Sequence, residues 1–126
     1  MALIEFKNLP DTSTPINAEN LNHNFNSIAE SGSNSNGIWV KLADGTMFQR
    51  GKTLITPTAN STVVVTVNLP QTFTSVEYAN CNPLTGVPNN VRTSINEMTN
   101  STIKIAFYRT NSEQTDVCWE AIGKWK

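Results

Sequence analysis

IWVKLADGTMFQRGKTL, Ile38 to Leu54, holds two runs with strand character on either side of Asp44-Gly45. Asp-Gly between such runs is a strong local hairpin signal, because a two-residue type I′ loop needs positive φ at both central positions. Closing that loop pairs Leu42 with Met47, Lys41 with Phe48, Val40 with Gln49 and Trp39 with Arg50. Side chains alternate faces along a strand. Ile38, Val40, Leu42 and Met47, with Gln49 among them, therefore form an expected core face. Trp39, Lys41, Ala43, Phe48 and Arg50 form the opposite one, half-wet or a subunit contact. Trp39 beside Arg50 reads as a structural cation–π pair. Gly51 is then expected to break the strand, as a bulge or a close approach of another chain segment would.

Downstream, the chain repeats the strand pattern between turn signals. Residues 62–69 place Val63, Val65, Val67 and Leu69 on one face before Pro70 stops the run. Residues 73–80 place Val76 and Tyr78 together, and NPLTGVPNN, residues 82–90, reads as a loop. Residues 91–98, 102–109 and 117–125 follow, the last two with Ile103, Ile105 and Phe107, and Trp119, Ala121, Gly123 and Trp125, aligned. About seven short strands of this kind describe an all-β antiparallel sandwich or barrel, and we expect a sandwich.

Upstream, Pro10 and Pro15 bracket a loop or extended arm that follows the short apolar segment Leu3, Ile4 and Phe6. A helix is expected from about Ile16, with Asn17 as N-cap and Glu19 in the first turn. Ala18, Leu21, Phe25 and Ile28 form its a/d-type stripe, and Ser31-Gly32 ends it. At about 14 residues such a helix is marginal alone. Its stripe packs either on its own domain or in a parallel bundle of chain copies. SGSNSNG, residues 31–37, reads as a flexible linker. The expected organisation is an N-terminal arm, helix and linker over residues 1–36, for anchoring and trimerisation, and a β-domain over residues 37–126.

The 126 residues are 38% hydrophobic and 15% charged, with a formal net charge of -1. That is one domain with a lean core, and no clustered basic charge calls for nucleic acid. No apolar run reaches the roughly 18 residues of a membrane span, so no membrane insertion is expected. The opening MALIEFKNLPD lacks the basic start and long apolar run of a signal peptide. Cys81 and Cys118 are too few for a disulfide scaffold and read as reduced thiols in strands. Asn and Thr together make up about a quarter of the chain, which suits a polar, β-rich extracellular surface.

Catalytic signals are weak. His23 is the sole histidine, on a predicted helix among asparagines, with no nucleophile or metal partner in view. Asp44, Glu77, Glu97, Glu113, Asp116 and Glu120 could in principle pair for glycoside hydrolysis, but the turn explains Asp44 and the 110–116 loop explains Glu113 and Asp116. No phosphate loop or nucleophile elbow is present. No catalytic residue, metal site or cofactor is expected. For sugar binding the candidate polar groups are Asn82, Asn89, Asn90, Arg92, Asn111 and Gln114, with Tyr78, Tyr108 and Trp125 as platforms. The alternative is that these asparagines only form turns and these aromatics only pack.

WVKLADGTMFQRG resembles the pattern W-x-K-x-x-D-G-T-x-x-Q-x-G of tailed-bacteriophage tail-fibre C-terminal domains, through Trp39, Lys41, Asp44, Gly45, Thr46, Gln49 and Gly51. WEAIGKWK, residues 119–126, is similar to the closing strand of those domains, and NLPQTFTSVEYANCNP to their middle strands. NLPDTSTPINAENLN resembles the opening of short structural proteins from phages of Gram-positive hosts. The resemblance implies a homotrimeric sandwich at a fibre tip. Its arm would meet other virion proteins, and its loops would contact a host cell-surface glycan. The chain is short for a fibre and has no long shaft. A head-fibre, baseplate or decoration protein without receptor activity is the alternative, and a small carbohydrate-active enzyme a further one. Association also suits the physics: a lean core and exposed strand edges are both remedied by it, and several weak sugar sites gain by avidity.

Overall fold

The computed structural model describes residues 27–126. They form eight strands, β1 Ile28–Asn34, β2 Gly37–Leu42, β3 Thr46–Ile55, β4 Ser61–Asn68, β5 Ser75–Pro83, β6 Val91–Met98, β7 Thr102–Arg109 and β8 Thr115–Lys124. A 3-10 turn, Pro88–Asn90, leads into β6. The strands make two antiparallel sheets, β1-β2-β3-β8-β5 and β4-β7-β6. Both sheets contribute to one core: Met47, Val117, Trp119 and Ala121 from the first, Val67, Val91, Ile103, Ile105 and Phe107 from the second. The all-β, two-sheet expectation holds.

The alternation of β7 explains why it is central. Ile103, Ile105 and Phe107 are all fully buried, while Lys104, Ala106 and Tyr108 between them are half-buried on the other face. β8 repeats the pattern with Val117, Trp119 and Ala121. Its Trp119 ring lies flat against Gly51 of β3, where an added Cβ would sit 2.6 Å from the ring. Gly51 therefore serves a close approach, and β3 runs through it to Ile55 without a break.

The Asp44-Gly45 hairpin forms, but with a different loop. The Gly45 N–H donates to the Leu42 carbonyl at 3.1 Å, and Gly45 has φ of +100°. Ala43, Asp44 and Gly45 form a three-residue loop closed by a left-handed glycine. Trp39 therefore faces Gln49, Val40 faces Phe48 and Lys41 faces Met47, one residue out of the expected register. Because the side-chain period is two, that slip turns one strand over relative to the other. β3 keeps its expected faces, with Met47 and Gln49 buried. β2 is inverted: Trp39 packs on the core, and Ile38 is 41% exposed. Trp39 and Arg50 are on opposite faces, so the expected cation–π pair does not form. Trp39 instead lies over Gly32 of β1, and its Nε1–H donates to Glu30 Oε1 at 3.2 Å.

Four further expectations are corrected. Ile28 begins strand β1 and does not continue a helical stripe, and residues 31–34 of the expected linker pair in register with β2. Backbone pairing along a ready sheet edge satisfies every second amide of this polar segment, which composition alone does not reveal. Ala18, Leu21 and Phe25, and the helix they define, lie outside the described residues, as do His23 and the N-terminal arm. A bulge between Val76 and Tyr78 puts these two on different faces, with Val76 against the core and Tyr78 49% exposed. Strand β5 also runs on through Asn82 and Pro83, which were expected in the loop.

Candidate functional site

The loops at residues 56–60, 84–90 and 110–114 gather at one end of the two sheets. Ladder pairing dictates this: Ile55 faces Thr115, Pro83 faces Val117, and Ser61 and Val91 both face Arg109. Arg109 is the anchor of that end. Its buried guanidinium donates from Nε to Asn111 Oδ1 at 2.6 Å, from Nη1 to Thr115 Oγ1 at 2.9 Å and from Nη2 to Glu113 Oε2 at 2.8 Å. A buried charge needs such partners: two come from the loop that follows it, and Thr115 is the first residue of β8. The loop is therefore held in one shape by its own strand.

This explains two of the expected ligand residues structurally. Asn111 Oδ1 is occupied by Arg109 and by the Glu113 N–H, and Gln114 Nε2 donates to Thr56 Oγ1 at 2.9 Å. Arg92 and Tyr108 face each other across β6 and β7, with the Arg92 guanidinium 5.7 Å from the ring centre. The Tyr108 hydroxyl donates to Asn60 Oδ1 at 3.4 Å. Arg92 thus covers the platform that Tyr108 would offer to a sugar. Asn89 and Asn90 lie in the exposed 3-10 turn, where the Asn90 carbonyl accepts from Thr110 N–H. Asn82 is not at this end: it is on the outer face of the five-stranded sheet, across from Cys118. Trp125 is structural too, its Nε1–H donating to the Leu42 carbonyl at 2.8 Å, with Lys41 and Lys126 near its ring.

The outer face of the five-stranded sheet is the more distinctive surface. Val40, Phe48, Ile122 and Tyr78 are successive cross-strand neighbours in β2, β3, β8 and β5. They form one apolar row across four strands. Ile38 extends it on one side and Leu42, paired with Ile28, on the other. Phe48 is 43% exposed and Ile28 53%. A groove of about 430 Å³ runs along this row, lined by Ile38, Val40, Phe48 and Ile122 among others. Contiguous, partly exposed apolar surface of this kind makes the row a candidate contact face.

Toward the loop end the same face turns polar. Two cross-strand rows follow, Arg50–Glu120–Asn80 and Lys52–Cys118–Asn82. They border a trough of about 630 Å³, closed on one side by the β1–β2 turn. Among the described residues no ion pair engages Arg50, Lys52 or Glu120. Of the residues here, sequence reasoning singled out Asn82 as a ligand group. The signal for the others was the two-residue spacing of Arg50 and Lys52 and of Asn80 and Asn82, which becomes meaningful once the strands are laid side by side.

Four carboxylates have structural partners: Asp44 accepts from Thr46 N–H, Glu30 pairs with Lys41, Glu113 with Arg109 and Glu97 with Lys104. The Thr46 backbone hydrogen bond holds the Asp44 carboxyl below its ordinary value. Burial pushes the Cys81 thiol up. Both cysteines are unbridged. Among the described residues no three of His, Cys, Asp and Glu gather as a metal site, and no helix is long and apolar enough to cross a membrane.

No family model and no curated protein matches this sequence. Solved structures do match. The N-truncated R1-type pyocin tail fibre aligns over 87% of this chain and 98% of its own, with a TM-score of 0.62 and 17% identity. The C-terminal portion of the Pseudomonas aeruginosa R1 pyocin fibre aligns over 86% of this chain with a TM-score of 0.62 and 17% identity, and this chain spans 32% of it. The corresponding portion of the P. aeruginosa R2 pyocin fibre aligns over 87% of this chain and 30% of its own, with a TM-score of 0.57 and 18% identity. The described residues therefore share a fold with these pyocin tail-fibre structures.

Proposed function

We propose that this chain is a phage-type virion protein, a tail-fibre or receptor-binding component whose β-domain recognises a glycan on the host cell surface. The observation that carries the reading is the alignment of nearly the whole N-truncated R1-type tail fibre with 87% of this chain. The polar composition and the tail-fibre-like hairpin motif agree with it. The protein has no catalytic role and needs no cofactor. It resides on a tail or other surface appendage, attached to other virion proteins through its N-terminal arm.

The working form is a homotrimer. The support for this is the row Val40–Phe48–Ile122–Tyr78, which a lone subunit would leave in water. Burying apolar surface is worth roughly 25 cal/mol per Å², so such a face favours contact with copies of the same chain. Three copies also supply the avidity that a weak site for a repeated sugar requires.

Two measurements test the reading. Light scattering on the purified chain should give three times the subunit mass, and a monomer would remove the association. Pre-incubating host cells with purified protein should block adsorption of the parent phage. Full adsorption in the presence of saturating protein would move the chain to a head-fibre, baseplate or decoration role. Loss of viscosity from a host polysaccharide would instead indicate an enzyme.

A further inference from the structure

Granted the receptor-binding reading, we infer that the trough on the outer face of the five-stranded sheet, bordered by Arg50, Lys52, Asn80, Asn82 and Glu120, binds the anionic group of an acidic glycan. The argument is one of layout. Arg50 and Lys52 are two residues apart on β3, hence about 6.7 Å apart along one face. Two strands away, about 10 Å across the sheet, Asn80 and Asn82 repeat the same spacing on β5. Glu120 and Cys118 of β8 lie between them. The cations occupy one side of the trough and the amides the other.

Each side has a distinct chemical use. A carboxylate or phosphate seated between Arg50 and Lys52 meets two cations that no described carboxylate neutralises by direct contact. The amides of Asn80 and Asn82 and the Glu120 carboxylate then face the neighbouring hydroxyls, since amides both donate and accept and a carboxylate accepts. Glu120 also penalises an anion placed on the wrong side, which orients the sugar. The cavity of about 630 Å³ is large enough for a sugar unit with its acidic substituent. This position is also distinct from the loop end, where Arg92, Asn111 and Gln114 already have partners within the protein.

Cys118 provides the readout. It is half-buried in the second trough row, whereas Cys81, which also borders the trough, is buried, so Cys118 is the thiol that a polymer seated there would shield. The full chain would be alkylated with iodoacetamide in the presence of alginate, poly(glycerol phosphate) or neutral dextran. Slower labelling of Cys118 with alginate alone identifies a uronate, with poly(glycerol phosphate) alone a phosphodiester, and with both a general anion site. In each case dextran leaves labelling unchanged, and added salt reverses the protection. R50Q/K52Q should weaken protection about tenfold, as expected for two partly exposed charge contacts. R92Q/K104Q removes the same charge from the other sheet and should leave it intact. Equal protection by dextran, protection by no polymer, or undiminished protection in R50Q/K52Q would each overturn the inference. Arg50 and Glu120 also line the apolar groove, so R50Q/K52Q is weighed by light scattering as well: lost protection at unchanged mass belongs to the trough, and lost mass belongs to the association. If R50Q/K52Q loses protection yet still blocks adsorption, the trough is not the receptor site.

Discussion

The outer faces of the two sheets are built from similar strands and differ in what they put side by side. On the three-stranded sheet the cross-strand rows are Thr62–Tyr108–Arg92, Val64–Ala106–Ser94 and Thr66–Lys104–Glu97. Each is polar, small or charge-paired. On the five-stranded sheet the comparable row is Val40–Phe48–Ile122–Tyr78. Single-residue exposure does not separate the two faces, since Val64 is 53% exposed and Phe48 only 43%. What separates them is neighbours. Val64 is an isolated apolar group in a polar field, and such groups are ordinary on protein surfaces. Phe48 is part of a continuous strip. One sheet turns polar rows to water, and the other turns out an apolar row that the proposed trimer would cover.

The inner face sets the scale for testing this contrast. Phe107→Ala, in the fully buried centre of β7, should cost about 3–5 kcal/mol of stability, read as a large fall in the denaturant midpoint. A loss below 1 kcal/mol would mean that the sheets do not share one packed core. Gln49→Leu comes next. Gln49 is buried, donates to the Gln71 carbonyl at 3.0 Å and accepts from the Gln71 N–H at 2.9 Å. Leucine keeps the volume and strands both backbone groups, for an expected cost of about 1–3 kcal/mol.

The outer faces should respond in association rather than in folding. Phe48→Lys is expected to abolish the trimer in light scattering while changing subunit stability by less than about 1 kcal/mol. Val64→Lys, on the more exposed residue, should leave the mass unchanged. Equal behaviour of the two variants would erase the distinction between the faces.

The smallest effect concerns the hairpin loop. The Thr46 N–H favours the charged form of Asp44, so the carboxyl titrates below its unfolded value of about 3.8. Its contribution is fully present above that value and fades as pH falls through the lower folded one. Acid-unfolding curves of the wild type and Asp44→Asn should therefore differ most in shape below about pH 4 and run parallel at neutral pH. A difference that persists unchanged to pH 2 would assign the effect to something other than this charge.

Much of the interior was legible residue by residue. Alternation located β6 and β7, residues 91–98 and 102–109, at their observed bounds, and put Ile103, Ile105 and Phe107 inside. It did so because a strand buried on one face has a period of two that no other element imitates. β1 was not legible: IAESGSN has no apolar alternation, and it becomes a strand because β2 offers it an edge. The candidate ligand residues were planar polar groups, amides and Arg92, beside aromatic platforms. Asn111 proved to be an acceptor for a buried arginine, and Asn82 proved to sit in a strand, on a trough that its own neighbours in sequence do not reveal.

The amino-acid order alone determined that residues 37–126 form an all-β domain, where its central strands run and that Asp44-Gly45 reverses the chain. Packing decided the rest. Whether the hairpin loop holds two residues or three is worth little locally, but it chooses which face of β2 meets the core. The Trp39 ring found its place over Gly32, the Trp125 indole took the Leu42 carbonyl at the turn, and Phe48 and Val40 were left outside. Distant contacts made that choice, because a period of two fixes alternation within a strand but says nothing about which of its two sides faces in.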